Sequence, residues 1–154
     1  MPGDRELFIA ATQCAVVQGE RFLVIVRAEG IKDAPGALVF PGGKVEIGDG
    51  PDEVLESAVR REVLEETGIT VSPDLEYVRS LFYSLDDGGP VIDTLFLGQY
   101  LGGEPQITDT NEVAEVSWMT AEEILAHDKT PEWNRPDVLQ VEALRRRRTR
   151  RRQS

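Results

Sequence analysis

The sequence contains little cysteine, little histidine and no long hydrophobic run. Its 154 residues include one cysteine, Cys14, and one histidine, which excludes an internal disulfide and any multi-cysteine zinc site. No apolar run approaches the ~18 residues of a membrane span, and no basic segment followed by an apolar one marks a secretory signal. We therefore expect a cytoplasmic protein without a membrane partner.

Positive charge is scarce outside the last ten residues. The chain has 17 Lys and Arg against 28 Asp and Glu, and seven of the arginines lie within residues 145–152. An acidic body binds nucleic acid poorly, because phosphate contacts need basic groups, but it suits divalent cations. We expect a single domain over residues 1–144 and a solvated arginine-rich tail over residues 145–154. Nucleic acid is an unlikely partner, apart from a weak contact with this tail.

The pattern of elements predicts an α/β fold, with a mixed sheet and helices packed on it. One long helix is expected from Pro51 to Thr67, because proline suits the first helical position and Gly68 suits the residue after the last. The expected strands are Gln13–Gln18, Arg21–Arg27, Leu38–Phe40, Tyr77–Leu85, Val91–Leu101 and Glu115–Met119, and further helices are expected at Thr120–His127 and from about Pro136 onward.

Three carboxylates lie near the end of the long helix. At 100° per residue, Glu62, Glu65 and Glu66 share an arc of about 100° and extend the apolar stripe of the helix. Glu62 and Glu66 repel each other at i,i+4, and acids are unfavourable at this end of the helix dipole. A hard cation, Mg²⁺ or Mn²⁺, would offset both effects. The alternative is a solvated acidic helix end.

The segment Arg61–Ile69 reads Arg-Glu-Val-Leu-Glu-Glu-Thr-Gly-Ile and follows Gly43-Lys44-Val45-Glu46. Together these segments resemble the Nudix box, the signature of the Nudix hydrolases. The resemblance covers most of residues 10–140 in element order. It implies an α/β/α sandwich in which the catalytic helix and a C-terminal helix pack on a mixed sheet. It also implies a metal site formed by Glu62, Glu65, Glu66 and the Gly43 carbonyl.

The first half of the box departs from the family pattern. Counting from Gly43 puts Asp49 at the first acidic position, and eleven residues then precede Arg61, four more than the family usually has. Counting back from Arg61 puts Glu53 there instead. Four residues are about one helical turn, so we expect a helix that is one turn longer at its N-terminus. Either Asp49 or Glu53 would brace Arg61 or the loop.

An additional acid is expected on a loop facing the helix. Glu112 lies six residues before Trp118, where MutT-like members of the family often carry a further metal ligand or a base. Glu115 competes for this role, and either acid can instead be a solvated loop residue. The resemblance implies that Glu65, Glu66 and Glu112 are the catalytic acids, with Glu66 or Glu112 accepting the proton of the attacking water.

Three residues are candidates for substrate binding. Arg27 ends the second strand, where a basic residue of MutT-like proteins reaches the substrate phosphates, and Lys44 lies within the box. Asn134 is a candidate base reader, because an amide offers a donor and an acceptor to one base. The alternatives are a surface arginine at a strand end and an asparagine that caps the last helix. Tyr83 or Trp133 could stack on a base.

The resemblance implies a metal-dependent hydrolase that cleaves a nucleoside diphosphate linked to another group. Our leading expectation is a nucleoside triphosphate, preferably a purine one, converted to the monophosphate and pyrophosphate. The alternatives are hydrolysis of ADP-ribose, a nucleotide sugar or a dinucleotide, and a domain that senses nucleotides without turnover. The family often forms homodimers, so a second copy of the chain is a candidate partner.

Overall fold

The structure is a computed structural model that describes residues 2–153. It consists of eight strands, three α-helices and three short 3-10 turns. The strands are β1 (Ile9–Gln18), β2 (Arg21–Arg27), β3 (Leu38–Val39), β4 (Gly42–Lys44), β5 (Thr70–Val71), β6 (Glu76–Ser84), β7 (Pro90–Gly102) and β8 (Val113–Thr120). The helices are α1 (Val54–Thr67), α2 (Ala121–Ala126) and α3 (Arg135–Gln153), and the 3-10 turns are Pro2–Asp4, Ile47–Asp49 and Glu132–Asn134.

The sheet is mixed, as the sequence predicted. β1 and β7 pair in parallel from Ile9 opposite Val91 to Val17 opposite Gln99, and the other pairings are antiparallel. The main path of the sheet runs β3-β2-β1-β7-β5, with β4 paired to β1, β6 to β7 and β8 to β2. The short strand β4, which the sequence did not predict, fixes the glycine bend against β1.

Helices cover both faces of the sheet. Because side chains alternate along a strand, Cys14 and Val16 pack with the α1 residues Val59 and Val63 on one face. Ala15 and Val17 lie on the other face, in a cluster that includes Ile124 of α2 with Val138 and Val141 of α3. This arrangement confirms the predicted α/β/α sandwich.

The long helix begins later than the sequence predicted. α1 starts at Val54, after Glu53 in a left-handed conformation with φ of 46°, and the chain before it forms the Ile47–Asp49 turn. The predicted start at Pro51 is therefore wrong, because the positive φ of Glu53 interrupts any helical path from Pro51. The predicted end is confirmed: Gly68 has φ of 76° and its N–H donates to the Leu64 carbonyl.

The arginine-rich segment is helical in this structure. α3 continues through it to Gln153, and Ser154 lies outside the described residues. Glu142 accepts from Arg145 Nη2 at 2.6 Å and Arg146 Nε at 2.9 Å, and Arg148 lies 3.3 Å from Glu76 of β6. These acids and the helix dipole, which favours cations at a C-terminus, stabilise the segment as helix. Within residues 2–153, no helix has the length and apolar character to cross a membrane.

Candidate active site

Two of the predicted acids meet the bend between β3 and β4. Gly42 N–H donates to Glu66 Oε1 at 2.8 Å. A Cβ added to Gly43 would lie 2.5–2.7 Å from the carboxylate atoms of Glu62, so only glycine lets that acid approach the backbone here. We call Glu62 and Glu66, with Gly42 and Gly43, the carboxylate site.

The carboxylate site is rich in negative charge that is partly shielded from water. The pKa of Glu66 is raised to about 8, chiefly by burial and then by the charges of Glu62 and Glu112, against the donation from Gly42 and the charge of Arg27. Burial likewise raises the pKa of Glu62, although Arg61 opposes that shift. Closely spaced, half-buried carboxylates favour the binding of a cation.

Of the two candidate acids, Asp49 and Glu53, it is Asp49 that holds Arg61. Arg61 Nε and Nη2 donate to the two oxygens of Asp49 at 2.8 and 2.9 Å, and Nη2 also donates to the Lys44 carbonyl at 3.1 Å. Asp49 is buried and also accepts from the Glu46 N–H. The Arg61 hydrogen bond is the main cause that lowers the pKa of Asp49 to about 2. Glu53 is exposed at the start of α1.

Glu65 does not join the other two acids. Its side chain is 59% exposed and its Oε2 lies 3.2 Å from Arg61 Nη1, while the same nitrogen donates to Glu62 at 2.9 Å. Over residues 2–153, no three acidic, histidine or cysteine side chains are arranged to hold a metal ion. In this structure Glu65 therefore lies apart from Glu62 and Glu66, beside the Arg61 guanidinium.

The donor set at the bend still fits a hard cation. Glu62 and Glu66 supply carboxylate oxygens, and a side chain at position 43 would fill the space beside the Glu62 carboxylate. Oxygen ligands of this kind suit Mg²⁺ and Mn²⁺. Glu65 lies on the same helix one residue before Glu66, and its Oε2 accepts from Arg61.

Arg27 and Glu112 lie at adjacent strand ends beside Glu66. Arg27, the last residue of β2, pairs with Val113 of β8, and the Ala28 N–H donates to the Glu112 carbonyl at 2.9 Å. Arg27 Nε donates to the Asp33 carbonyl at 3.0 Å. Both side chains act electrostatically on Glu66. Glu112 and Glu115 are both exposed, and Glu115 lies opposite Val26 within the β2–β8 pairing.

Lys44 contributes to the site through its backbone. Its carbonyl accepts from Arg61, and its side chain is exposed. The pKa of Asp87 is lowered first by the Gly89 N–H and then by Lys32, with the Lys44 ammonium a further cause. The positive charge of Lys44 therefore acts on Asp87 in the turn between β6 and β7.

Asn134 does not cap α3, and that alternative is wrong. Its side chain lies inside the protein, 1% exposed, and Nδ2 donates to the Leu38 carbonyl at 3.4 Å. Its Oδ1, which a cap would use to accept from the helix, is buried without a hydrogen-bond partner. Trp133, next to it, is largely exposed.

The sequence analysis missed the polar residues of β7 and α3. Asp93 is 7% exposed and accepts from the Tyr83 hydroxyl at 3.2 Å and from Gln13 Nε2 at 3.4 Å. Asp137, in the first turn of α3, is 1% exposed and lies 3.4 Å from Arg79 Nε. The signal was present: Asp93 occupies a buried position of a mostly apolar strand, where charged residues are rare unless they are paired.

Comparison with known proteins agrees with this geometry. The NUDIX domain family matches residues 8–140. The NAD-capped RNA hydrolase NudC of Salmonella paratyphi C is 35% identical over 105 residues, which are 68% of this chain and 37% of that protein. The chain thus spans little more than a third of the length of the curated relatives that it matches.

Solved structures show the same fold. A MutT NUDIX hydrolase from Burkholderia pseudomallei superposes with a TM-score of 0.73 at 23% identity, over 88% of this chain and 99% of that one. A MutT protein from Methanosarcina mazei Go1 superposes with a TM-score of 0.71 at 26% identity, over 91% and 96%. With the family match over residues 8–140, this chain belongs to the Nudix family.

Proposed function

We propose that this protein is a metal-dependent pyrophosphohydrolase that cleaves a nucleoside diphosphate linked to a second group. The observation that carries the proposal is the carboxylate site, where Glu62 and Glu66 meet the Gly42-Gly43 bend. The positive charge of Arg27 acts on Glu66. The Arg27 guanidinium could therefore donate hydrogen bonds to a phosphate that lies beside the acids. Membership of the Nudix family supports the same chemistry.

Glu62, Glu66 and the Gly43 carbonyl would hold the divalent cation, with Glu65 and Glu112 as further ligands. The bound cation, Mg²⁺ or Mn²⁺, would supply Lewis-acid activation and would neutralise charge on the diphosphate. Glu65 would turn from Arg61 to take this role. Asp49 holds Arg61 through two hydrogen bonds and so positions the helix that carries the acids.

The chain's own groups account for proton transfer and phosphate binding. Glu66 or Glu112 would accept the proton of the attacking water at a carboxylate oxygen. Arg27, oriented by its Nε hydrogen bond to the Asp33 carbonyl, would donate to phosphate oxygens through its terminal nitrogens. Lys44 would add a positive charge at the far side of the bend.

The substrate we favour is a purine nucleoside triphosphate, cleaved to the monophosphate and pyrophosphate. Asn134 supports this choice, because its carbonyl oxygen is buried and without a partner in the protein. The amide could pair with a donor and an acceptor on one base. Replacing Asn134 with alanine should then change the preference for purine over pyrimidine nucleotides, whereas an unchanged preference would rule out this role.

A second candidate is hydrolysis of a dinucleotide or another nucleotide with a bulky second group. It is favoured by the 35% identity to a protein described as an NAD-capped RNA hydrolase. Both candidates require cleavage within a diphosphate. The residues that would bind the second group of the substrate lie outside the Nudix box. ADP-ribose and nucleotide sugars belong to this second class.

A nucleotide panel with Mg²⁺ and with Mn²⁺, followed by mass spectrometry, tests the proposal. We expect cleavage within the diphosphate and release of pyrophosphate from triphosphates. Cleavage of NAD or ADP-ribose instead would favour the second candidate. Binding of nucleotides without cleavage of any of them, with either metal, would contradict the hydrolase and leave a nucleotide-sensing domain.

A further inference from the structure

The loop between β7 and β8, which spans residues 103–112, is joined to the end of α1. The last carbonyls of a helix have no donor within the helix, and this loop supplies donors to two of them. The Gln106 N–H donates to the Thr67 carbonyl at 2.8 Å. The Thr108 hydroxyl donates to the carbonyl of Glu65. The β7–β8 loop therefore completes the helix end that carries the acids.

Two glycines allow the β7–β8 loop to approach the helix end closely. Gly68 follows α1 with φ of 76°, and Gly103 begins the loop with φ of 95°. A Cβ added at Gly68 would lie 2.6 Å from Gln106 Cγ and 2.9 Å from the Glu104 carbonyl oxygen. A Cβ added at Gly103 would collide with the Gly68 carbonyl oxygen. Both positions therefore favour glycine, and the contact between loop and helix extends over several residues.

A tight turn links Thr108 to Glu112. Asp109 Oδ1 accepts from the Asn111 N–H at 2.9 Å. The Asp109 carbonyl accepts from the Glu112 N–H at 3.2 Å and from the Val113 N–H at 3.0 Å. An aspartate that hydrogen-bonds the backbone two residues ahead stabilises such a turn. A displacement of Thr108 would therefore be transmitted to Glu112.

The β7–β8 loop ends beside the carboxylate site. The negative charge of Glu112 acts on Glu66, and the Glu112 carbonyl accepts from the Ala28 N–H at 2.9 Å. The Glu112 side chain is exposed, so its position depends on the backbone that carries it rather than on packing. The Thr108 hydroxyl ties that backbone to α1.

We propose that Thr108 is a positioning residue that fixes the β7–β8 loop to α1 and thereby holds Glu112 beside Glu66. Thr108 acts through Glu112 and touches no substrate. Without the hydroxyl, the loop loses its side-chain hydrogen bond to the helix, and Glu112 is no longer held at the carboxylate site. This role rests on the proposed function, because it explains how one of the proposed acids is placed. If Thr108 only capped α1, its loss would lower stability and leave the contribution of Glu112 intact.

A double-mutant cycle of T108V and E112Q in the full chain tests this role, with pyrophosphate release from GTP and Mg²⁺ as the assay. E112Q should lower kcat by about 10²-fold, the effect of losing a positioned acid. T108V should lower kcat by about tenfold with little change in KM, because misplacing a reacting group is costly. The double variant should be no slower than E112Q, since only residues that act as a unit show such non-additivity.

Two further variants separate the hydroxyl from the loop. T108S keeps the hydroxyl and should restore most of the wild-type kcat. The matched control is T110V, in the same loop, where the exposed Thr110 side chain forms no hydrogen bond within residues 2–153. T110V should keep the wild-type kcat.

Amide hydrogen exchange measures the same contact without turnover. In the wild type, the Gln106 N–H should be protected at least about tenfold more than the Thr110 N–H, because the former donates to α1. In T108V the protection of the Gln106 and Val113 amides should fall, as the loop separates from the helix and the turn before β8 loosens.

Several results would overturn the role of Thr108. These are additive effects of T108V and E112Q on kcat, wild-type kcat in either single variant, or a T108S variant as slow as T108V. If T108V does not fold, T108A replaces it in the cycle, and equal protection of the Gln106 and Thr110 amides in the wild type would overturn the role by itself. If the wild type cleaves no GTP, the nucleotide panel judges the proposed function separately. Exchange in T108V then decides, with unchanged protection of Val113 contradicting the role and lowered protection supporting it.

Discussion

Two regions of this protein concentrate charge of one sign, and they are built differently. At the carboxylate site, Glu62 and Glu66 are half-buried, and Glu66 has a backbone N–H as its hydrogen-bond donor. Along residues 145–153 the arginines are mostly exposed, and those nearest the body pair with Glu142 and Glu76. Exposed like charges are screened by water and salt. Partly buried like charges require a counterion. The carboxylate site, and not the arginine-rich segment, is therefore the candidate for ligand binding.

Changing one acid of the carboxylate site should have the largest effect. E66Q should lower kcat by about 10²–10⁴-fold, the range expected for loss of a positioned catalytic group. A carboxyl whose folded pKa is raised destabilises the fold progressively as pH rises from its ordinary 4.5 toward 8. The metal-free variant should therefore melt no lower than the wild type at pH 8, because the amide oxygen can still accept from Gly42.

The readouts are steady-state pyrophosphate release and thermal unfolding with chelator present. E56Q, on the same helix but away from the bend, serves as the control and should keep wild-type turnover. Wild-type kinetics for E66Q would remove Glu66 from the reaction.

Removing the brace of Arg61 should have an intermediate effect, mainly on stability. The lowered pKa of Asp49 means that its ion pair contributes fully above pH 3.8 and is lost as pH falls toward 2. D49N should therefore lower the free energy of unfolding at pH 7 by about 2 kcal/mol, and this deficit should shrink in acid. E53Q is the matched control at an exposed acid, and denaturant titrations measure both. If E53Q lost as much free energy of unfolding as D49N, the assignment of Asp49 as the residue that holds Arg61 would be contradicted.

Deleting residues 145–154 should have the smallest effect on activity. The segment lies at the far end of α3 from Asn134, and its ion pairs with Glu142 and Glu76 are partly exposed, where such pairs contribute about 0–1 kcal/mol each. We expect turnover of small nucleotides to change by less than about twofold and the melting temperature to fall by a few degrees. A collapse of activity would show that the arginine-rich end serves the site.

Local signals in the sequence predicted most of the fold. Periodicity and turn residues identified β2, and Thr120 with Glu123 forms the predicted capping box at the start of α2. The start of α1 was predicted three residues early, because the left-handed Glu53 has no strong sequence signal. The short strands β4 and β5 depend on pairing with β1 and β7, which no local pattern reports.

The candidate site was predictable only in part. Helical spacing places Glu62, Glu65 and Glu66 on one face, but it does not reveal that Arg61 draws Glu65 outward. The choice between Asp49 and Glu53 depended on how the loop before α1 folds back. Asp93 and Asp137 are 44 residues apart in the sequence and interact only because α3 packs on β7. Such long-range pairs depend on the tertiary fold.

The central claim is that Glu62 and Glu66 bind a divalent cation beside the glycine bend. Electron paramagnetic resonance of Mn²⁺, titrated into the full chain and into E62Q/E66Q, measures this without requiring turnover. We expect the wild type to bind Mn²⁺ at least about tenfold more tightly than the double variant, with both proteins folded. Equal Mn²⁺ affinity in the two proteins would contradict the account.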